Sequence, residues 1–232
     1  MTENGAVCAL RRRPVCYAGD MENIHIIEAA DTDRIATWLY DRLAAPRSDS
    51  ADRLAITLPG GSTPFPILKA LIALKPAVPW HAVQVWPNDD RIVPEDHEAS
   101  NTGKIRALLE PHGAAIEVLS QTSLPPHFAL AWLGMGEDGH TASLFPNTDP
   151  RLDDPQMVRR LTPDPLPAHA PFDRITLTLP ALLRSDAFLL TLGGSAKKRA
   201  VLDAAIAGEN DLPIARLLRA AHDRGIAVTV FT

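Results

Sequence analysis

From Ile24 to Phe231, short apolar runs alternate with amphipathic stretches of helical period, and this order limits the fold more than any other feature of the chain. The strand-like runs lie at residues 54–58, 83–86, 116–119, 128–133, 174–179, 187–192 and 226–231. Such alternation is typical of βαβ units, in which helices cover both faces of a parallel sheet. The sequence therefore predicts an α/β fold with a mostly parallel sheet.

The stretches between these runs have the apolar spacing of helices. The first predicted helix can be capped by Asp31 or Thr32, and the second begins near residue 64. Three more are predicted at residues 103–110, 196–207 and 213–221. Residues 87–100 and 146–172 lack such a period, so we expect a long loop and an irregular surface excursion. Residues 120–127 are too few for a helical crossover between parallel strands.

The length and composition predict one domain. The chain has 232 residues, of which 46% are hydrophobic and 22% are charged, which is enough for a single α/β domain with a substantial core. Periodic patterning begins only after Met21. We therefore expect residues 1–21 to be a poorly ordered N-terminal extension and residues 22–232 to form the domain.

The formal net charge of -5 gives no global electrostatic reason to bind nucleic acid or an anionic membrane. No apolar stretch approaches the roughly 18 residues that a membrane span needs. The arginines at residues 11–13 follow a short apolar patch, which is the wrong order for a secretory signal. Cys8 and Cys16 lack the spacing of a zinc site. A cytoplasmic location is expected.

Glycines, carboxylates and a histidine crowd into residues 134–146, GMGEDGHTASLFP, directly after a strand-like run. Gly134, Gly136 and Gly139 fall where the chain leaves the sheet and must turn sharply or approach a ligand closely. His140 would then lie at the carboxyl end of a strand, where parallel sheets bind ligands, and imidazole accepts protons near neutral pH. A glycine-rich turn with a surface histidine is the alternative interpretation.

A second glycine-rich loop, at Gly60, Gly61, Ser62 and Thr63, lies between a strand and a helix. Its amides and hydroxyls can bind a phosphate at the helix N-terminus, although turns without a ligand have the same composition. The loop lacks the lysine of a P-loop and the GxGxxG spacing. A nucleotide cofactor is therefore disfavoured.

Charged side chains also follow the strand at residues 83–86. Arg91 suits bidentate binding of phosphate, and the alternative is a structural ion pair with Asp89 or Asp90 that pins the loop. The sequence does not require a metal, because no third ligand stands at an obvious spacing. The helix at residues 196–207 begins with Lys197, Lys198 and Arg199, from which a cation can reach a ligand above the sheet, but such charges are usually solvated.

The chain resembles the glucosamine-6-phosphate isomerase/6-phosphogluconolactonase family in four motifs and in their order. These are LPGGSTP at residues 58–64, DDRIVP at residues 89–94 followed by Ser100 and Asn101, GMGEDGHTASLFP, and RITLTLPAL at residues 174–182. The resemblance covers residues 22–231. It implies a Rossmann-like three-layer αβα sandwich, a 6-phosphosugar ligand and no cofactor.

The resemblance also implies roles for individual residues. His140 matches the catalytic histidine, Asp138 its supporting carboxylate, and Asp89 the acid that opens an Asp-Glu-Arg motif. These three are the predicted catalytic residues. The implied substrate and phosphate site consists of Gly60, Gly61, Ser62, Thr63, Arg91, Asn101, Gly136 and Lys197. Asp90 stands where glutamate is usual, which leaves its role open. Residues 120–127 depart too, since relatives generally place a helix there.

The implied reaction is hydrolysis of 6-phospho-D-glucono-1,5-lactone, a step of the oxidative pentose phosphate pathway. His140 would activate water, and amides near Gly136 would stabilise the oxyanion. One alternative is a glucosamine-6-phosphate deaminase/isomerase, whose motif after the histidine carries a glutamate that residues 143–146 lack. Another is a catalytically silent sugar-phosphate sensor, against which His140 and Asp138 argue. We expect no metal, no nucleic-acid or membrane partner, and a monomer or weak homodimer.

Overall fold

A computed structural model describes residues 21–44, 53–167 and 170–232. The strands are β1 (Ile24–Ile27), β2 (Leu54–Leu58), β3 (Val83–Pro87), β4 (Asp89–Arg91), β5 (Ala115–Ile116), β6 (Leu130–Gly134), β7 (Val158–Leu161), β8 (Arg174–Leu177), β9 (Ala187–Thr191) and β10 (Ala227–Phe231). The α-helices are α1 (Thr32–Leu43), α2 (Pro64–Ala73), α3 (Asn101–Leu109), α4 (Leu179–Leu182), α5 (Ala196–Ile206) and α6 (Pro213–Asp223). The predictions for residues 1–20, including Cys8 and Cys16, lie outside the described residues.

The main sheet has the strand order β1-β10-β9-β6-β2-β3-β5, and its paired strands are parallel. Successive side chains of a strand point to opposite faces, and both faces of this sheet are apolar. On β2, Ile56 packs into one core cluster with residues of α1, α2 and α3, while Ala55 packs into a second cluster with residues of α5 and α6. The predicted α/β fold with helices on both faces is confirmed.

The helices begin at residues that are favoured at helix N-termini. Asp31 caps α1 by accepting a hydrogen bond from the amide of Arg34 at 2.8 Å. Pro64 opens α2, where a missing N–H costs nothing. Ser100 caps α3 and Ser195 caps α5. These caps matter for the site because α2, α3 and α5 each begin close to the same edge of the sheet.

A small second sheet was not predicted. Strands β4, β8 and β7 pair antiparallel in that order. The predicted loop at residues 87–100 therefore contains β4, and the predicted irregular excursion contains β7. β8 was predicted as a strand but joins this sheet instead of the main one. Strands of three or four residues, rich in charge, give no periodic signal, and here tertiary pairing decides the structure.

The segment between β5 and β6 has no helix, as the short spacing indicated. The predicted strand at residues 116–119 is shorter than expected, because only Ala115–Ile116 pairs with β3. Beyond it the chain runs without regular structure to β6 and covers the face of the sheet that carries α5 and α6. Leu119 and Phe128 are buried there, and the Phe128 ring meets Trp86 edge-on at 6.3 Å.

Candidate active site

A cleft of about 370 Å³ lies at the edge of the main sheet where β2, β3, β6 and β9 have their carboxyl ends. Among the predicted site residues, Gly60, Gly61, Ser62, Thr63, Asp89, Arg91, Asn101, Gly136 and His140 line it. The lining also includes Lys198, and it includes Ser143, Phe145 and Arg174, for which the sequence predicted no role in the site. The topology thus brings together loops that are far apart in sequence.

His140 and Asp138 form a close pair in the loop after β6. The His140 Nδ1 lies 2.6 Å from Asp138 Oδ1, and the His140 amide donates to the same oxygen at 3.2 Å. The hydrogen bond from His140 holds the pKa of the Asp138 carboxyl below its ordinary value. Because an ionised carboxylate only accepts hydrogen bonds, Nδ1 must carry the proton, which leaves Nε2 as the proton-accepting nitrogen.

The glycines of this loop make the pair possible. A Cβ on Gly136 would overlap the His140 ring and the Asp138 carboxylate. Gly139 has φ +76°, a left-handed conformation that glycine adopts without strain. The Gly136 amide donates to the His140 carbonyl at 2.9 Å. The Gly136 amide is thus engaged within the loop, and Gly136 leaves room for the pair; stabilisation of an oxyanion by amides near Gly136 stays a prediction.

Asp89 is buried in the wall of the cleft. Burial raises the pKa of its carboxyl above the ordinary value, although the hydrogen bond from the Ser143 hydroxyl and the charge of Arg91 oppose that shift. Asn101 donates from Nδ2 to the Asp89 carbonyl at 3.0 Å and accepts from Arg91 Nη1 at 3.3 Å. A Cβ on Gly60 would overlap the Asn101 amide. Asn101 thus links the aspartate, the arginine and the loop after β2.

Two arginines meet in the small sheet. Arg91 and Arg174 are register partners across β4 and β8 and both line the cleft. Arg174 is buried and donates to the carbonyls of Ala170 at 2.7 Å and Phe172 at 2.9 Å. Burial and, next, the charge of Arg91 lower the pKa of the Arg174 guanidinium. A buried and a half-buried guanidinium on one wall of the cleft can bind an anion.

From the sequence, Arg174 was identified as the first residue of a predicted strand and of a family motif, but no role in the site was predicted for it. The sequence feature that could have identified it is a charged residue at the start of an otherwise apolar run. That feature alone does not distinguish a ligand-binding arginine from an arginine that merely begins a strand. Ser143 was likewise overlooked within the glycine loop, as was Phe145, whose ring lies 4.8 Å from the His140 ring. Only their positions in the folded chain distinguish these residues from their neighbours.

The loop after β2 contributes hydroxyls and backbone. Gly61 adopts φ +85°, which turns the chain from β2 toward α2. Ser62 is exposed, and Thr63 precedes α2 without making a side-chain capping hydrogen bond. Both hydroxyls are therefore available to a ligand, whereas Pro64 and Pro66 in the first turn of α2 have no N–H to donate.

The two neighbouring lysines at the start of α5 differ in their position relative to the cleft. Lys197 is not part of the cleft lining, and its ammonium lies 3.6 Å from Glu137 with 80% of the side chain exposed. Lys198 lines the cleft instead. Successive helical residues point about 100° apart, so only one of two adjacent lysines at the start of α5 can face the cleft. The rotation of α5 about its axis, which decides between the two lysines, could not be predicted from the sequence.

No group of three or more His, Cys, Asp or Glu side chains in the described ranges is arranged to hold a metal ion. Metal independence stays a prediction. None of the helices in this part of the chain is long and apolar enough to cross a lipid bilayer.

Comparison with known proteins points to one family. The sequence model described as glucosamine-6-phosphate isomerases/6-phosphogluconolactonase matches residues 28–121 and 109–226. A 6-phosphogluconolactonase of Helicobacter pylori is 33% identical over 232 aligned residues, which cover 91% of this chain and 96% of the relative. One of Pseudomonas aeruginosa is 34% identical over 211 residues, covering 80% of this chain and 86% of the relative.

Solved structures agree with these relatives. The crystal structure of 6-phosphogluconolactonase from Thermotoga maritima is 25% identical, with a TM-score of 0.70, and the match covers 90% of this chain and 98% of that one. A 6-phosphogluconolactonase structure from Shewanella baltica has a TM-score of 0.73 at 24% identity, over 92% of this chain and 99% of that one, which shows the shared fold.

Proposed function

The chain belongs to the glucosamine-6-phosphate isomerase/6-phosphogluconolactonase family, and on that premise we propose that it hydrolyses 6-phospho-D-glucono-1,5-lactone to 6-phospho-D-gluconate. The observation that carries the proposal is the pairing of an ionised Asp138 with His140 in a loop of the same cleft that holds Arg91 and Arg174. A base and an anion site in one cleft are what a phosphorylated lactone requires.

The proposed chemistry uses His140 as a general base. Nε2 takes a proton from water, the oxygen attacks the lactone carbonyl, and the ring oxygen leaves with the proton that the imidazolium returns. Asp138 keeps the proton on Nδ1 and stabilises the imidazolium that forms in the transition state. General-base assistance of about a hundredfold or more is sufficient for so reactive an ester.

The phosphate group of the substrate binds, in this proposal, between the loop after β2 and the two arginines. Ser62 and Thr63 supply hydroxyls, Arg91 and Arg174 supply guanidinium groups, and Lys198 replaces Lys197 as the lysine of the site. These contacts are remote from the reacting carbonyl, so they hold it beside His140 and reduce the entropy lost in the reaction. Asp89 and Asn101 hold the arginine side chains in position.

The rival activities have less support. Residues 143–146 carry no acid that would assist ring opening of glucosamine 6-phosphate, and the Ser143 hydroxyl is engaged with Asp89. A silent sensor would not need the Asp138–His140 pair. We further propose that residues 22–232 act as one cytoplasmic, cofactor-independent domain, as a monomer or weak homodimer.

One assay tests the proposal. The lactone is generated in situ from glucose 6-phosphate, and acid release is followed above the spontaneous rate, with glucosamine 6-phosphate as the parallel substrate. We expect acceleration with the lactone and no deamination. Release of ammonia would favour the deaminase/isomerase alternative, and binding of 6-phosphogluconate without any turnover would favour a sensor.

A further inference from the structure

Asp89 and Asp90 are neighbours on strand β4, but their carboxylates lie on opposite faces of the strand and differ in their surroundings. Side chains alternate along a strand, so Asp89 and Arg91 share one face while Asp90 points to the other. Asp89 and Arg91 line the catalytic cleft, whereas Asp90 is not part of its lining. Asp90 lines a second cavity of about 290 Å³, to which Arg91 also contributes. Asp90 is only 7% exposed, which calls for partners that compensate the buried charge.

Those partners are found at the start of α3. Asp90 Oδ1 accepts from the amide of Asn101 at 2.6 Å and from the amide of Arg91 at 2.7 Å. Oδ2 accepts from the amide of Thr102 at 2.9 Å and from the hydroxyl of Ser100 at 3.1 Å. Backbone amides at a helix N-terminus carry a partial positive charge, so a carboxylate suits this place.

The same carboxylate therefore fixes the backbone of two residues of the cleft. Arg91 and Asn101 are ten positions apart in sequence, yet both amides bind one oxygen of Asp90. Their side chains then meet on the other side of β4, where Arg91 Nη1 donates to Asn101 Oδ1 at 3.3 Å and to the Ala99 carbonyl at 2.8 Å. The direction of the Arg91 guanidinium therefore depends on the backbone positions that the hydrogen bonds of Asp90 hold.

We infer that Asp90 is a positioning residue that sets Arg91 and Asn101 for the phosphate group of the substrate, without touching the substrate itself. The inference rests on the proposed function. It assigns a role to Asp90, which stands where the family resemblance predicts glutamate. A glutamate would carry its carboxylate about 1.5 Å, the length of one C–C bond, further from its own Cα, so it would not fit the present amide contacts of 2.6 to 2.9 Å unless the side chain or the backbone shifted.

The test compares hydrolysis of 6-phosphogluconolactone with hydrolysis of unphosphorylated gluconolactone. Asp90→Asn keeps the size but replaces one acceptor by a donor that faces the Thr102 amide. We expect KM for the phosphorylated lactone to rise about tenfold or more, kcat to change less than about threefold, and the preference for the phosphorylated lactone to fall accordingly. Asp90→Glu, which keeps the charge, should shift the preference in the same direction.

Asp31→Ala is the matched control, since it also removes an aspartate that caps a helix but lies away from the cleft. Its thermal stability should fall while the preference for the phosphorylated lactone stays that of the parent protein. An unchanged preference in folded Asp90→Asn would overturn the inference. If Asp90→Asn does not fold, an unchanged preference in Asp90→Glu would do so. A parent protein without any lactonase activity would instead refute the proposed function.

Discussion

Arg91 and Arg174 stand directly opposite each other across the antiparallel pair β4 and β8, so two guanidinium groups share one wall of the cleft. Like charges opposite each other destabilise a sheet, and burial adds to the cost at Arg174. The carboxylates of Asp89, Asp90 and Asp173 offset part of this cost, and a bound anion would offset more of it. The pair is therefore the part of the site whose binding energy is easiest to test.

Arg174→Lys keeps the charge but removes the planar fork. We expect the affinity for 6-phosphogluconate to fall by about 1.5–3 kcal/mol, the scale of a lost hydrogen bond to a charged group. Isothermal calorimetry on folded protein measures this directly. Arg160→Ala is the control, because Arg160 lies on β7 and pairs with Asp173 outside the catalytic cleft. Equal affinities in the two variants would remove Arg174 from the phosphate site.

Two adjacent lysines offer an internal comparison. Lys198 lines the cleft, whereas Lys197 is largely exposed beside Glu137. We expect Lys198→Ala to raise KM for the phosphorylated lactone about tenfold and Lys197→Ala to change it less than about twofold, since exposed ion pairs contribute little. Steady-state kinetics on both variants decide the matter. The reverse order would restore the assignment made from sequence.

Hydrophobic period and turn chemistry were enough to predict the main sheet from sequence. β2 and α2 were predicted closely, because an apolar run, two glycines and a proline mark where one ends and the other begins. The small sheet was not predicted, since strands such as β4 owe their structure to a partner that lies far away in sequence. The positions of Arg174 and Lys198 in the cleft could not be predicted in the same way. The first depends on the register between β4 and β8, and the second on the rotation of α5 about its axis, neither of which composition encodes.

His140 is expected to act mainly in the transition state. His140→Asn should lower kcat about a hundredfold or more with little change in KM. The chain contains a matched control in His127, whose Nε2 lies 2.6 Å from Asp186 on the surface, away from the cleft lining. His127→Asn should keep normal turnover. Initial rates above spontaneous hydrolysis give both values, and near-normal turnover in His140→Asn would exclude it as the base.

Asp89 links the chemistry of the cleft to the stability of the fold. Its folded pKa is raised by burial, so the native state binds the proton more tightly than the unfolded chain, whose aspartates titrate near pH 3.9. The stabilising contribution of the protonated group is thus complete below about pH 3.9 and is lost as pH rises through the raised folded pKa. Asn cannot ionise, so Asp89→Asn escapes this loss.

We therefore expect the free energy of unfolding of Asp89→Asn, relative to the parent protein, to increase from pH 4 toward pH 8 and to level off above the folded pKa. Urea unfolding of both proteins across this range measures the difference, in which all other titrating groups cancel. Activity of the variant should fall as well, since the hydrogen bond from Ser143 changes and the charge interaction with Arg91 is lost. A stability difference that is constant with pH would show that Asp89 titrates alike in the folded and unfolded chain.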